Sequence, residues 1–325
     1  MRAIVWTAYG SAEGLQLQDV PKPVPRAKEL LVRVRATAVA AGDCELRALR
    51  FGVGMRFVVR LLMGPVHPRR KILGQEFAGV VEAVGARATR FRVGDEVYGT
   101  TGFRFGAYAE YLCVHEAARD SAVAIKPANM SFEEAATIPT GGLEALHFLR
   151  KAGRLEGRTI LINGAAGGIG ALAVQIAKFL GADVTGVDHP RKMDLMLRLG
   201  ADRVIDYSRE DFGTAVNAYD VILDVVGQAD FSTCLGALNA GGSYLIANPH
   251  LAAWLRAPWA IGRDDKKVVV RGSPPRASDL DYLRRIIEAG RIRASIDRQY
   301  RLEDVPEAHR FVDSGSAVGR VVITP

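Results

Sequence analysis

The 325-residue chain has only three cysteines, Cys44, Cys113 and Cys234. An odd, widely spaced set builds no disulfide framework and has no metal-ligand spacing. Reduced thiols point to a cytoplasmic setting. No run of about 18 apolar residues occurs, so membrane insertion is not expected. The first residues reach polar Thr7 and Gly10 too soon for a signal segment. Solenoid repeats and low-complexity linkers are absent. Histidine is scarce at six, and none has a partner spacing that marks a catalytic role. Acids are fewer than bases, 36 against 43, for a net charge of +7. The densest basic cluster, Arg69-Arg70-Lys71, lies close to Arg56 and Arg60 and carries no nucleic-acid motif. It reads as a solvated positive face, and no nucleic-acid partner is expected.

With 49% hydrophobic and 24% charged residues, the composition is that of a globular protein. The length favours two domains over one. The first third reads as β-rich, with strand candidates at residues 30–36, 77–85, 93–99 and 107–114 separated by glycines. Ser131, followed three residues later by Glu134, signals a helix start. Strands are then expected at 159–163, 182–188, 204–206, 219–227 and 242–247. Between the first two of these, Leu172, Ile176 and Leu180 recur at helical spacing. Strands alternating with helices predict a doubly wound parallel sheet. The tail adds a helix at 280–290 and a strand at 319–323.

The run Gly164-Ala165-Ala166-Gly167-Gly168-Ile169-Gly170 sits between an expected strand and an expected helix. Small residues there let the backbone approach a pyrophosphate, and the helix start favours its negative charge. The strict G-x-G-x-x-G pattern is met except that its first position is Ala165. Asp188 ends the next strand, close to the ~20-residue offset at which an acid accepts hydrogen bonds from an adenosine ribose. That favours NAD. His189, Arg191 and Lys192 follow at once and could instead neutralise the extra phosphate of NADP, or simply begin an exposed helix.

These residues, with Ile72-Leu73-Gly74-Gln75-Glu76-Phe77-Ala78-Gly79-Val80-Val81, Phe91-Arg92-Val93-Gly94-Asp95-Glu96-Val97-Tyr98-Gly99, Gly106-Ala107-Tyr108-Ala109-Glu110-Tyr111 and Ala135-Ala136-Thr137-Ile138-Pro139-Thr140, resemble the medium-chain dehydrogenase/reductase superfamily. The likeness is strongest to its zinc-independent quinone oxidoreductase and enoyl reductase branch. The resemblance implies an α/β protein with a Rossmann doubly wound parallel sheet inserted into a GroES-like β-barrel domain. Residues 1–124 and 275–325 would form the GroES-like catalytic domain and 125–274 the dinucleotide-binding domain, with the cofactor in the cleft between them. Zinc alcohol dehydrogenases have a cysteine ligand where this chain has Ala40 and a histidine ligand where it has Gln75. Residues 101–107 lack the cysteines of a structural zinc lobe. Neither alanine nor glutamine suits zinc, so no metal is expected.

The resemblance further implies a cofactor site made of Thr140 beside the nicotinamide, Gly167, Gly168 and Ile169 on the pyrophosphate, and Asp188, His189, Arg191, Lys192 and Tyr207 around the adenosine half. Val225, Val226, Ile246, Ala247 and Asn248 would complete it from two strand ends. NADP(H) is slightly favoured by the branch, with NAD(H) compatible. Quinone reductases of the family often have asparagine at Ala40, and its loss here leaves the catalytic residues unassigned. Candidates for the substrate pocket are Asp43, Phe103, Phe105, His250 and Trp254, with the loops near residues 51–63. For Asp43 a structural hydrogen bond is the competing role. The expected activity is NAD(P)H-dependent hydride transfer to a quinone or α,β-unsaturated carbonyl that is small and hydrophobic. The alternative is a cofactor-binding redox sensor or scaffold without turnover. A homodimer is compatible with either.

Overall fold

The structure, a computed structural model, describes residues 1–249, 265–270, 272 and 274–325. The chain begins with β1 (Arg2–Trp6), β2 (Leu15–Asp19), β3 (Glu29–Val39), α1 (Ala41–Ala48), α2 (Val53–Met63), β4 (Glu76–Val84), β5 (Glu96–Thr100), β6 (Tyr111–His115) and β7 (Ala122–Ile125). It continues with α3 (Phe132–Ala136), α4 (Pro139–Ala152), β8 (Thr159–Asn163), α5 (Gly170–Phe179), β9 (Asp183–Asp188), α6 (Met193–Arg198), β10 (Arg203–Asp206), β11 (Tyr219–Asp224), α7 (Phe231–Ala237) and β12 (Leu238–Ile246). After β13 (Lys267–Val269) come α8 (Ala277–Glu288), β14 (Ile296–Arg301), α9 (Val305–Asp313) and β15 (Arg320–Thr324). Two compact units result. The first contains Met1–Thr140, Pro274–Glu288 and Ala294–Pro325; the second contains Gly141–Ser273 and Ala289–Arg293.

In the first unit β1 and β2 form an antiparallel ribbon, and seven strands form a sheet in the order β14-β15-β3-β4-β5-β7, with β6 also on β3. β3 alternates as a strand with one wet face should: Val32 and Val34 are buried while Arg33 and Arg35 are exposed. Leu30, Val32, Phe77, Val81, Val97, Leu112 and Val123 make one core. A second gathers Ile4, Trp6, Leu73, Tyr108, Leu302 and Val305.

The second unit is a six-stranded parallel sheet in the order β10-β9-β8-β11-β12-β13. Strand order reverses between β8 and β11, the position where doubly wound sheets bind ligands at their carboxyl edge. Ile160, Leu161 and Ile162 of β8 are fully buried, as a strand covered on both faces must be. α5 is buried over Gly170 to Ala177, which accounts for its small residues.

Some boundaries differ from the sequence expectation. The strand expected at 93–99 starts at Glu96, because Gly94 has φ +93° and Arg92 N–H donates to the Asp95 carboxylate at 2.9 Å, closing a turn. The strand expected at 107–114 starts at Tyr111; Ala107 and Tyr108 instead give their N–H groups to Gly74 and Leu73. The strand expected at 219–227 stops at Asp224, where Gly227, at φ +73°, turns back to donate to the Asp224 carboxylate at 2.8 Å. Among the described residues no helix is long and apolar enough to cross a membrane.

Candidate functional site

β8 delivers the glycine turn to the carboxyl edge of the parallel sheet. Gly164, at φ +81°, starts it, and the N–H groups of Gly164 and Ala165 donate to Val187 O of β9 at 2.9 and 3.1 Å. Gly170 closes it. A Cβ on Gly170 would lie 2.1 Å from Gly164 O, so only glycine allows α5 to start there. A Cβ on Gly141 would lie 2.3 Å from Gly168 O, so α4 also packs directly on the turn backbone. Gly167, Gly168 and Ile169 are the half-exposed rim, while Ala165 and Ala166 are buried beneath it.

Asp188 ends β9 and is buried. Its Oδ2 accepts the Ala166 N–H at 3.0 Å, its Oδ1 accepts the His189 N–H at 2.8 Å, and Lys192 Nζ stands 3.4 Å from Oδ1. The acid therefore braces the glycine turn and is neutralised by Lys192. Arg191 is exposed and Tyr207 is 56% exposed, its ring edge-on to His189 with centroids 6.1 Å apart. The adenosine-side candidates thus sit together at the ends of β9 and β10, whose last residues, Asp188 and Asp206, are paired in register.

The other half of the edge is built on Asp224, which is fully buried at the end of β11. Its carboxylate accepts Asn163 Nδ2–H at 2.9 Å and the Tyr244 hydroxyl at 3.2 Å. Asn163, Asp224 and Ile246 lie in register across β8, β11 and β12. Asn248 Nδ2–H donates to Val225 O at 2.7 Å, and a Cβ on Gly227 would meet Asn248 O at 1.9 Å. The loops after β11 and β12 are thereby locked together. Val226 and Asn248 are exposed, Ala247 half-exposed, and Val225 and Ile246 buried. Sequence reading missed the Asn163–Asp224–Tyr244 network. Its signal was a polar residue closing each of two otherwise apolar strands.

Thr140 and Asp43 belong to the first unit. Thr140 N–H donates to Glu76 Oε1 at 2.8 Å, and Glu76 is ion-paired with Arg320. Asp43 is fully buried in α1. Its Oδ2 accepts the Tyr108 hydroxyl at 3.0 Å and the Ala40 N–H at 3.2 Å; its Oδ1 has no hydrogen-bond partner. Burial pushes this carboxyl up to about 7. The chain of contacts continues from Tyr108 to His309 Nε2 at 3.2 Å, and from His309 Nδ1 to Arg47 Nε and Cys44 Sγ, both at 3.3 Å. Arg47 Nε–H donates to Nδ1, which keeps His309 neutral. Burial, then Arg47 and Arg50, lower its pKa to about 3. Arg47 and Arg50 both pair with Asp313. Burial pushes the Cys44 thiol up, so it is a packing residue rather than a nucleophile.

Phe105 is buried in the Trp6 core at φ +56°, whereas Phe103 is 78% exposed, with ring centroids 6.3 Å apart. His250 and Trp254 lie outside the described residues. The zinc positions do not fit a metal: Ala40 offers no ligand atom, and Gln75 carries a neutral amide. No group of three or more His, Cys, Asp or Glu side chains is placed to hold a metal among the described residues.

Comparison with known proteins gives two family matches. Residues 26–126 match the alcohol dehydrogenase GroES-like domain, and residues 199–323 match the zinc-binding dehydrogenase family. The chain is 31% identical to a 2-methylene-furan-3-one reductase of Solanum lycopersicum, over all of this chain and 79% of that protein. It is 30% identical to a quinone oxidoreductase of Pseudomonas aeruginosa, covering 100% and 99%. The solved quinone oxidoreductase of Coxiella burnetii superposes with a TM-score of 0.87 at 28% identity, covering 100% and 99%.

Proposed function

The chain belongs to the medium-chain dehydrogenase/reductase superfamily, in its zinc-independent quinone oxidoreductase-like branch, and on that premise we propose that it reduces quinones or α,β-unsaturated carbonyls with a nicotinamide cofactor. The observation that carries this reading is the glycine turn at the switch point of the parallel sheet, braced by Asp188 through the Ala166 N–H. Relatives named as a furanone reductase, a quinone oxidoreductase and an alkenal/one oxidoreductase support the acceptor class and speak against a protein without turnover.

The reduced nicotinamide supplies a hydride to an electron-poor carbon of the acceptor. The residues of this chain hold the reactants. Gly167, Gly168 and Ile169 present backbone to the pyrophosphate at the start of α5. His189, Arg191 and Lys192 take the adenosine end. Because Asp188 is turned inward and already paired with Lys192, the exposed charge left at this edge is positive, which supports NADP(H) over NAD(H). Val226, Ala247 and Asn248 meet the nicotinamide end from the loops after β11 and β12.

With a reduced nicotinamide bound as the hydride source, solvent would supply the proton that completes reduction of an enone, so no protein acid is required at the acceptor. A conjugated acceptor needs no Lewis acid, which agrees with a chain whose zinc positions hold Ala40 and Gln75. Within this reading residues 125–274 are the dinucleotide-binding domain, and 1–124 with 275–325 the GroES-like catalytic domain. Phe103 supplies an apolar wall for the acceptor. The free thiols support a reducing, cytoplasmic setting. An acceptor screen with NADPH and NADH tests the reading: oxidation of cofactor dependent on an enone or quinone supports it, and cofactor binding without turnover on any of them overturns it.

A further inference from the structure

Outside the nucleotide edge, α2 gathers the densest group of large exposed apolar side chains among the described residues. One side of it is tied down. Val59, Arg60 and Met63 are half-buried, and Met63 packs on the core around Trp6 and Leu73. The Arg60 guanidinium lies 5.6 Å from the Tyr9 ring centre, and the Tyr9 hydroxyl donates to Gly64 O at 2.8 Å. The opposite side is apolar and bare. Phe57, Val58, Leu61 and Leu62 are 71, 46, 60 and 68% exposed. Their spacing forms one stripe on a helix, the pattern by which a helix ordinarily faces a core. Here the stripe faces solvent. Met55 and Val66 extend it, so that six of the seventeen large exposed apolar side chains among the described residues fall within residues 55–66.

The stretch of chain that carries α2 has charge of one sign. Between Glu45 and Glu76 there is no acidic residue, and seven basic ones occur: Arg47, Arg50, Arg56, Arg60, Arg69, Arg70 and Lys71. Arg47 and Arg50 are spent on Asp313. Arg56, Arg69, Arg70 and Lys71 are exposed, and Arg69 N–H donates to Met63 O at 2.7 Å, which folds the basic loop back against the end of α2.

We propose that α2 and the basic loop after it dock the protein onto the surface of an anionic lipid bilayer. Exposed apolar side chains beside a basic cluster are what such a surface selects, with the former entering the acyl boundary and the latter meeting the headgroups. The 11 residues of α2 span about 16 Å, roughly half a hydrocarbon core, so the helix lies in the interface and does not cross. A second copy of the chain is the poorer occupant. Two-fold pairing through this stripe would set Arg56, Arg69, Arg70 and Lys71 against their own copies. The proposal is independent of the reduction reaction.

Co-sedimentation of the full chain with vesicles tests it. Vesicles of equal parts phosphatidylcholine and phosphatidylglycerol should bind the protein roughly tenfold or more tightly than phosphatidylcholine alone, and less so as salt rises. Phe57→Ser with Leu61→Ser, and separately Arg69→Glu with Arg70→Glu, should each lower that binding by roughly tenfold or more. NADPH titration and thermal melting of the same variants should stay as in wild type, since all four positions are exposed. The proposal is overturned by failure to bind either vesicle, by equal binding to both, or by a dimer in solution that Phe57→Ser with Leu61→Ser converts to monomer. It is equally overturned if the serine variant only raises KM for the acceptor while vesicle binding is unchanged.

Discussion

The Asp188 carboxylate accepts a hydrogen bond from the Ala166 N–H at 3.0 Å, so the acid that closes β9 also props the glycine turn that follows β8. Its second oxygen faces Lys192. Asp188→Ala should therefore weaken NADH and NADPH alike through the turn. Fluorescence titration should show both dissociation constants rising several-fold with their ratio unchanged. A rise confined to NADH would make Asp188 a ribose acceptor instead of a brace.

Arg191 and Lys192 are the cations that would meet a 2′-phosphate. Replacing both by alanine should raise the NADPH dissociation constant about tenfold or more, on the order of 1.4 kcal/mol. NADH binding should change little. Titration of the double variant with both cofactors checks this, and equal losses would remove the phosphate role.

Gly170→Ala adds a single methyl group where a Cβ would lie 2.1 Å from Gly164 O. The turn must open to accept it. Overpacking of this kind costs about 1–3 kcal/mol, and denaturant unfolding should show a loss in that range together with weakened binding of both cofactors. A stable variant with full cofactor affinity would mean that the turn does not hold the pyrophosphate.

Asp43 and His309 make opposite demands on pH. The His309 folded pKa of about 3 lies below its usual 6.5, so between those values the unfolded chain binds more protons and stability falls as pH falls. The Asp43 folded pKa of about 7 lies above its usual 3.8, so over the overlapping range the folded chain binds more protons and stability falls as pH rises. Each effect approaches about 1.4 kcal/mol per pH unit, and in wild type they largely cancel. His309→Gln should leave a protein that loses stability from pH 4 to 7, and Asp43→Asn one that gains it from pH 4 to 6.5. Melting curves across that range check the two slopes. Parallel slopes would show that these groups do not titrate as a buried pair.

The dinucleotide half was readable because its evidence is local. A strand covered on both faces is a run such as Thr159-Ile160-Leu161-Ile162-Asn163, and the small residues that let α5 approach it follow directly. Asp188 was found by its offset, but its bond to Ala166 joins two loops that only the sheet brings together. The Asp43–Tyr108–His309–Arg47 network was invisible for the same reason: His309 meets Tyr108 from 201 residues away and Arg47 from 262. The stripe at Phe57, Val58, Leu61 and Leu62 lies in a stretch expected from the sequence to be loops near residues 51–63, and the structure makes it a helix, α2, because its apolar residues recur at helical spacing. Periodicity marks an apolar face without saying whether the chain itself covers it, and only the fold turned that face outward.

Zinc-free hydride transfer is tested most directly by following NADPH oxidation with a conjugated enone and with a quinone, before and after exhaustive dialysis against a metal chelator. Turnover with at least one acceptor, unchanged by the chelator and not increased by added zinc, is the expected result. Activity that disappears on chelation and returns with zinc, or no turnover with any acceptor, would contradict it.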